Sequence, residues 1–190
     1  AIEAVSLIDN PDVKVIDAST AHRTLPEWAY GFPELSSAHL EKIKNSKRVA
    51  VPGCHASGFI ALVYPLIAAG ILPSDALLTC HSITGYSGGG KKMIAQYENV
   101  SRENFLNPPR QYGLTQEHKH LKEMKAITGI ENLPVFCPIV SDFYSGMAVT
   151  VPLFKENLCE GKGMKDIIEV YKNTYNSDFV KFTEDMGTDV

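Results

Sequence analysis

The stretch CHASGFIALVYPLIAAGILP, residues 54–73, constrains this chain more than any other. Its apolar run from Phe59 onward is long for a strand. It also falls short of the roughly 20 uninterrupted apolar residues that a membrane span needs. A helix over about 55–69 is the reading that fits, with Gly70 as its C-terminal cap and Pro73 just beyond. Pro65 lies inside it and is expected to kink or split it. Such a helix needs a core, and 190 residues of which 44% are hydrophobic can build one. The length suits one domain, or one domain with part of another.

The flanking elements set the fold class. AIEAVSLIDN, residues 1–10, has helical spacing at Ile2, Val5, Leu7 and Ile8. VKVIDAST (13–20) reads as a buried strand and KRVAVPG (47–53) as a second, short one. Strand, long connection and strand suggest the late part of a parallel α/β sheet. No G-x-G-x-x-G opens this unit, so the phosphate-binding first half of a dinucleotide fold is not expected. Downstream, 76–86 is strand-like and 91–100 helical. Residues 101–114 form a loop and 116–127 a helix. Two strands follow at 134–140 and 146–154, then a helix at 163–175 and a last short strand at 179–182. The terminal GTDV carries no element. The reading is a sheet-rich α+β fold over 54–190, behind a remnant of an α/β nucleotide-binding domain over 1–53.

Net charge is −4. That argues against a nucleic-acid surface and leaves small anionic substrates open, since these need only local positive charge. The first residues lack a basic segment and do not read as a signal peptide. Cysteines at 54, 80, 137 and 159 have no close spacing, so no disulfide framework is expected and a cytoplasmic, reducing setting fits.

Several segments could carry chemistry. Cys54 follows Pro52-Gly53 at the mouth of the predicted helix, where unpaired N–H groups and a partial positive charge favour a thiolate and could hold an oxyanion. Cysteine is also among the most buried residue types, so two readings stand, nucleophile or packing residue. Cys80 and Cys137, inside apolar strands, read as structural. In EHKHLKE (117–123), His120 and Glu123 lie three apart and share a helix face, while His118 points elsewhere. A carboxylate beside an imidazole would orient a general acid/base; a solvated charged face is the plainer reading. GYSGGGKK (85–92) could present N–H groups to an anion. It misses the P-loop pattern because Lys92 stands where Ser or Thr should hold magnesium. No histidine or cysteine spacing reads as a metal site. Arg23, just past the first strand, could grip a carboxylate or phosphate.

Taken together, DASTAHR (17–23), YGFPEL (30–35), PGCHASGF (52–59), TGYSGGGK (84–91), the H-x-H-x-x-E of His118 to Glu123, and SDFYSGMAVTVPL (141–153) resemble the N-acetyl-gamma-glutamyl-phosphate reductases of arginine biosynthesis, in their shorter bacterial form. The resemblance covers nearly the whole chain. It implies the mixed-sheet catalytic and dimerisation domain of the semialdehyde dehydrogenase type, akin to the C-terminal domain of glyceraldehyde-3-phosphate dehydrogenase. It implies that Cys54 attacks an acyl phosphate to give a thioester that NADPH reduces to the aldehyde, with His120 as acid/base and Glu123 orienting it. Arg23, His118 and Ser82 would surround the substrate. Ser87, Gly88, Gly89 and Lys91 would touch the cofactor, most of whose surface belongs to a segment this chain lacks. A dimer or tetramer is implied. One departure is Val51, where the family usually has Asn. Two other functions compete for a chain of this length: a cofactor-free Cys-His acyl hydrolase or transferase, and a non-catalytic dimerisation module.

Overall fold

The computed structural model describes residues 1–184, so the terminal GTDV lies outside the described residues. Two sheets organise the chain. The first is a three-stranded parallel sheet in the order β1-β3-β2, from β1 (Val15–Asp17), β2 (Ala29–Tyr30) and β3 (Arg48–Ala50). Helix α1 (Ile2–Ser6) precedes it, and α2 (Ser37–Asn45) connects β2 to β3. The predicted buried strand over 13–20 is in fact a three-residue edge strand with Ile16 exposed. An edge strand of this length has one neighbour and one face without cover among the described residues. Helix α2 and strand β2 fill the connection that the sequence left unstructured. The Ser36 hydroxyl caps α2 by accepting the His39 N–H.

Helix α3 (Cys54–Ala68) follows. It runs through Pro65 as one helix, so Pro65 does not split it. Proline at 65 leaves the Ala61 carbonyl without its usual i+4 partner. The Tyr175 hydroxyl donates to that carbonyl over 2.6 Å, and the Tyr171 hydroxyl donates to the neighbouring Leu62 carbonyl. Both tyrosines flank the end of the last helix, α6 (Met164–Thr174).

The second sheet is mixed, in the order β5-β6-β4-β7. Strands β4 (Thr79–Gly85) and β6 (Val135–Ser141) form its parallel centre. β5 (Arg110–Gln111) and β7 (Met147–Thr150) flank them antiparallel. Helices α4 (Gly90–Glu98) and α5 (His120–Thr128) lie in the crossover from β4 to β6. Pro138 sits inside β6, and β5 ends opposite Ile139, one position before the residue that has no N–H to offer.

Period-two alternation sends Cys80, Ser82 and Thr84 of β4 and Phe136 and Val140 of β6 inward. Cys80 and Phe136 meet Phe59, Ile60, Val63 and Leu66 of α3, with Leu121 and Met124 of α5, in the main core. Val140 packs in a second cluster with Tyr97 and Leu106. The opposite face, with His81, Ile83, Ala148 and Thr150, is open. The predicted strand at 179–182 reduces to a single bridge between Asn176 and Lys181. Among the described residues no helix is long and apolar enough to cross a membrane.

Candidate active site

Cys54 is the first residue of α3 and is exposed. The cap position is Gly53, in extended conformation with no side chain to offer. The first intrahelical bond runs from the Ser57 N–H to the Gly53 carbonyl, so the N–H groups of residues 54–56 lack intrahelical acceptors. Among the described residues the start of α3 is therefore an unpaired-donor site, with the only exposed cysteine of the four in its first position.

Cys54 opens into a cavity of about 290 Å³. His55, Tyr112, His118 and His120 line one side, and Thr84, Gly85, Gly88, Gly89 and Met93 another. Gly85 has to be glycine. A Cβ there would lie 2.7 Å from the Phe143 and Tyr144 carbonyl oxygens, which receive the N–H groups of Tyr86 and Ser87.

The histidines form a ring cluster beneath the cysteine. The His55 ring lies 5.8 Å from that of His118 and 5.7 Å from that of His120, and His118 and His120 are 4.7 Å apart. His55 is tied at both ends, Nδ1 to the Ser82 hydroxyl and Nε2 to the Tyr112 hydroxyl, each at 2.6 Å. Burial, reinforced by His118, pushes His55 down to about 4. Burial and then His118, His55, Arg23 and Lys119 push His120 to about 3. Both rings are thus neutral at neutral pH and have an acceptor nitrogen. Among the described residues, the His120 Nδ1 is buried without a hydrogen-bond partner. Nδ1 of His118 accepts the His120 backbone N–H at 3.2 Å, which places the proton of the neutral His118 ring on Nε2 as a donor. Burial, then the charge of Cys54, raises the Tyr112 phenol to about 12, so its hydroxyl keeps its proton beside the thiol.

Glu123 is not where the helix-face argument put it to use. It is 2% exposed, and its Oε1 accepts both the Tyr30 hydroxyl and the Gly53 N–H, each at 2.7 Å. Its Oε2 accepts Arg23 Nη1 at 3.2 Å. None of these bonds involves the His120 ring, so the predicted orienting pair is not formed. His120 and Glu123 share a face, but the loop before Cys54 packs against it and claims the carboxylate.

Arg23 borders a second cavity of about 340 Å³ with Thr20, Lys119 and Lys122. Each of its three nitrogens already donates to protein: Nε to the Val51 carbonyl, Nη1 to Glu123 and Nη2 to the Ala18 carbonyl. His118 lines both cavities, although the helix reading pointed it away, because α5 begins only at His120 and His118 lies in the preceding turn. Ser82 has no exposure and bonds His55, so it cannot meet a substrate. Gly88 and Gly89 reach the first cavity, whereas Lys91 is exposed on α4 and Ser87 stands just outside it. The sequence reading missed His55, Tyr112 and Tyr30. His55 adjoins the cysteine, but Tyr112 lies in a stretch without periodicity.

Residues 54–188 match the family model of the semialdehyde dehydrogenase dimerisation domain. The chain belongs to the semialdehyde dehydrogenase family. It is similar to the N-acetyl-gamma-glutamyl-phosphate reductase of Rhizobium meliloti (strain 1021), at 46% identity over 87% of this chain and 54% of that protein. The reductase of Trichormus variabilis is 48% identical over 80% of this chain and 49% of its own length. The chain spans about half the length of the curated relatives it matches. Among solved semialdehyde dehydrogenases, aspartate semialdehyde dehydrogenase II from Vibrio cholerae shares the fold. Its TM-score is 0.59 at 17% identity, covering 93% of this chain and 59% of that one. A probable aspartate-semialdehyde dehydrogenase from Pseudomonas aeruginosa gives 0.61 at 16%, covering 90% and 59%.

Proposed function

We propose that this chain carries the cysteine site of an oxidoreductase that reduces N-acetyl-gamma-glutamyl phosphate to N-acetylglutamate 5-semialdehyde in arginine biosynthesis. The observation that carries the reading is Cys54 at the uncapped start of α3, opening into a cavity lined by neutral imidazoles. The relatives' names supply the substrate.

In this reading the Cys54 sulfur attacks the acyl-phosphate carbonyl carbon. The bond from that carbon to the phosphate oxygen breaks, phosphate leaves with the electron pair, and a thioester remains. The thiol proton passes to an acceptor nitrogen of the neutral cluster, with His120 in the base role. The unpaired N–H groups of residues 54–56 stabilise the oxyanion of the tetrahedral intermediate. His118, with its proton on Nε2, and Tyr112 supply further donors to substrate oxygens.

The nicotinamide end of NADPH would enter the same cavity. Gly88 and Gly89 form a wall without side chains, and a Cβ on Gly88 would meet nothing nearer than the Thr84 hydroxyl at 3.4 Å. Gly88 and Gly89 would hold the cofactor, which when bound supplies the hydride for a thioester. NADP accompanies one solved aspartate semialdehyde dehydrogenase, from Candida albicans. We also propose a homo-oligomer, supported by the family's description as a dimerisation domain.

The first half-reaction needs no cofactor and tests the reading. The chain is incubated with N-acetyl-gamma-glutamyl phosphate and examined by peptide mass spectrometry with a phosphate assay. One acyl group on Cys54 and one phosphate released per chain is the expected result. Acylation spread evenly over several cysteines, or none at all, would refute it. Continuous phosphate release without NADPH would instead make the chain a hydrolase.

A further inference from the structure

We propose that Arg23 and Tyr30 are positioning residues for the nucleophile, acting through Glu123, whose carboxylate serves the turn before Cys54 rather than His120. The inference rests on Cys54 being the nucleophile.

The turn Val51-Pro52-Gly53 has few backbone groups with which to fix itself. Pro52 has no N–H, and Gly53 has no side chain. Three outside contacts fix it instead. The Asp17 carbonyl accepts the Val51 N–H at 2.8 Å, Arg23 Nε donates to the Val51 carbonyl at 2.8 Å, and Glu123 accepts the Gly53 N–H at 2.7 Å. Arg23 holds two of the three points, because it binds both Val51 and Glu123. Tyr30 holds Glu123 from the other side through the same Oε1 that takes Gly53.

The arrangement is closely packed. A Cβ on Gly53 would fall within 2.7 Å of His120 Nε2, Arg23 Nη1 and Glu123 Oε2. The Arg23 side chain is 9% exposed and Glu123 2%, so little of the ion pair meets water. The Gly53 φ and ψ set the direction in which α3 starts, and α3 carries both the Cys54 sulfur and the N–H groups of its first turn. A small rotation at Gly53 would move nucleophile and oxyanion donors together. Displacements of about 1 Å in such a site can cost on the order of a hundredfold in rate.

This also gives Val51 a reading. Only the backbone of residue 51 is used by the clamp, through its N–H and its carbonyl, so a valine serves as well as an amide side chain.

The test compares two reactions of Cys54 in Tyr30→Phe and Glu123→Gln chains. Acylation by N-acetyl-gamma-glutamyl phosphate needs the aligned turn, whereas alkylation by iodoacetamide needs only an accessible thiol. Glu123→Gln keeps Oε1 for Tyr30 and Gly53 but turns an amide NH₂ toward Arg23. Tyr30→Phe removes one oxygen and keeps the ring. Acylation is expected to fall about tenfold or more in each variant, with alkylation within about threefold of wild type. Hydrogen exchange of the Gly53 amide is expected to accelerate in Tyr30→Phe. Unchanged acylation, or acylation and alkylation falling in parallel with thermal stability, would overturn the proposal. Should Glu123→Gln not fold, Tyr30→Phe decides alone. A wild-type chain whose Cys54 is not acylated removes the functional reading and this one with it.

Discussion

The Tyr175 hydroxyl donates to the Ala61 carbonyl at 2.6 Å, across 114 residues, and that carbonyl is the one Pro65 leaves unbonded within α3. Removing the donor strands a carbonyl inside the protein. Tyr175→Phe is therefore expected to lower stability by about 1–3 kcal/mol. Restoring a backbone N–H with Pro65→Ala gives Ala61 an intrahelical partner, so the same tyrosine change should cost less in that background. Urea unfolding of the four chains measures the coupling; equal costs in both backgrounds would separate Tyr175 from Pro65.

Gly53 leaves no room for a side chain. Gly53→Ala puts a methyl into contact with His120, Arg23 and Glu123, and their packing has to open. A stability loss of about 1–3 kcal/mol is expected, together with loss of Cys54 acylation. Gly163→Ala is the control. Among the described residues a Cβ on Gly163 would meet nothing within 4 Å, and Gly163 lies in extended backbone, so its substitution should leave both readouts unchanged.

Much of this architecture can be read from residue order, and the failures share a cause. Period-two alternation marks β4 and β6, and the apolar run marks α3, because burial of one side is written locally. The same alternation places Ser82 inward with Cys80 and Thr84, which argues against Ser82 as a substrate contact. Helix α2 was readable too, from Ser36 before a charged amphipathic run. The fate of Glu123 was not. Spacing of three says that His120 and Glu123 share a face. The partners that claim the carboxylate lie 70, 93 and 100 residues away and come from segments with no pattern of their own. Tyr112 is hidden likewise, in a loop whose placement depends on the β6 edge.

Acid should loosen this protein from an unusually high pH. An unfolded histidine takes its proton near 6.5, whereas folded His55 waits until about 4 and His120 until about 3. Above 6.5 both states hold neutral rings and these residues contribute no pH dependence. Between 6.5 and 4 the unfolded chain binds more protons, so stability falls as pH falls. Tm is expected to be level from pH 8 to 7 and to drop steadily from 6.5 to 4.5. In His55→Gln, whose amide can still bond Ser82 and Tyr112, the drop should be shallower. A level Tm down to pH 5 would contradict the neutral cluster.

Cysteine labelling should separate Cys54 from Cys80. Cys80 has no exposed surface, and burial followed by the neighbouring Cys137 pushes its thiol up to about 12. It can react only when β4 opens. Iodoacetamide is expected to modify Cys54 in the native chain at least about a thousandfold faster than Cys80. Time-resolved peptide mapping gives both rates at once. Comparable rates would mean that the core around Cys80 is not closed.

The open face of the mixed sheet supplies the last prediction. Ile83 of β4 sits between Ile139 of β6 and Ala148 of β7 in register, and all three point away from the core. An exposed apolar row at the centre of a sheet favours a second such surface over water. The family's description as a dimerisation domain argues that a second copy provides it. Two-fold pairing would bring Ile83 and Ile139 of each protomer against the same row of the other, a self-complementary contact. Ile83→Lys places a charge in the middle of that contact without touching the core side. Sedimentation should show a dimer for the native chain and a monomer for the variant, with the fold retained by circular dichroism. A native chain that sediments as a monomer at high micromolar concentration would leave this face to another partner. A variant that stays dimeric would move the interface elsewhere on the molecule.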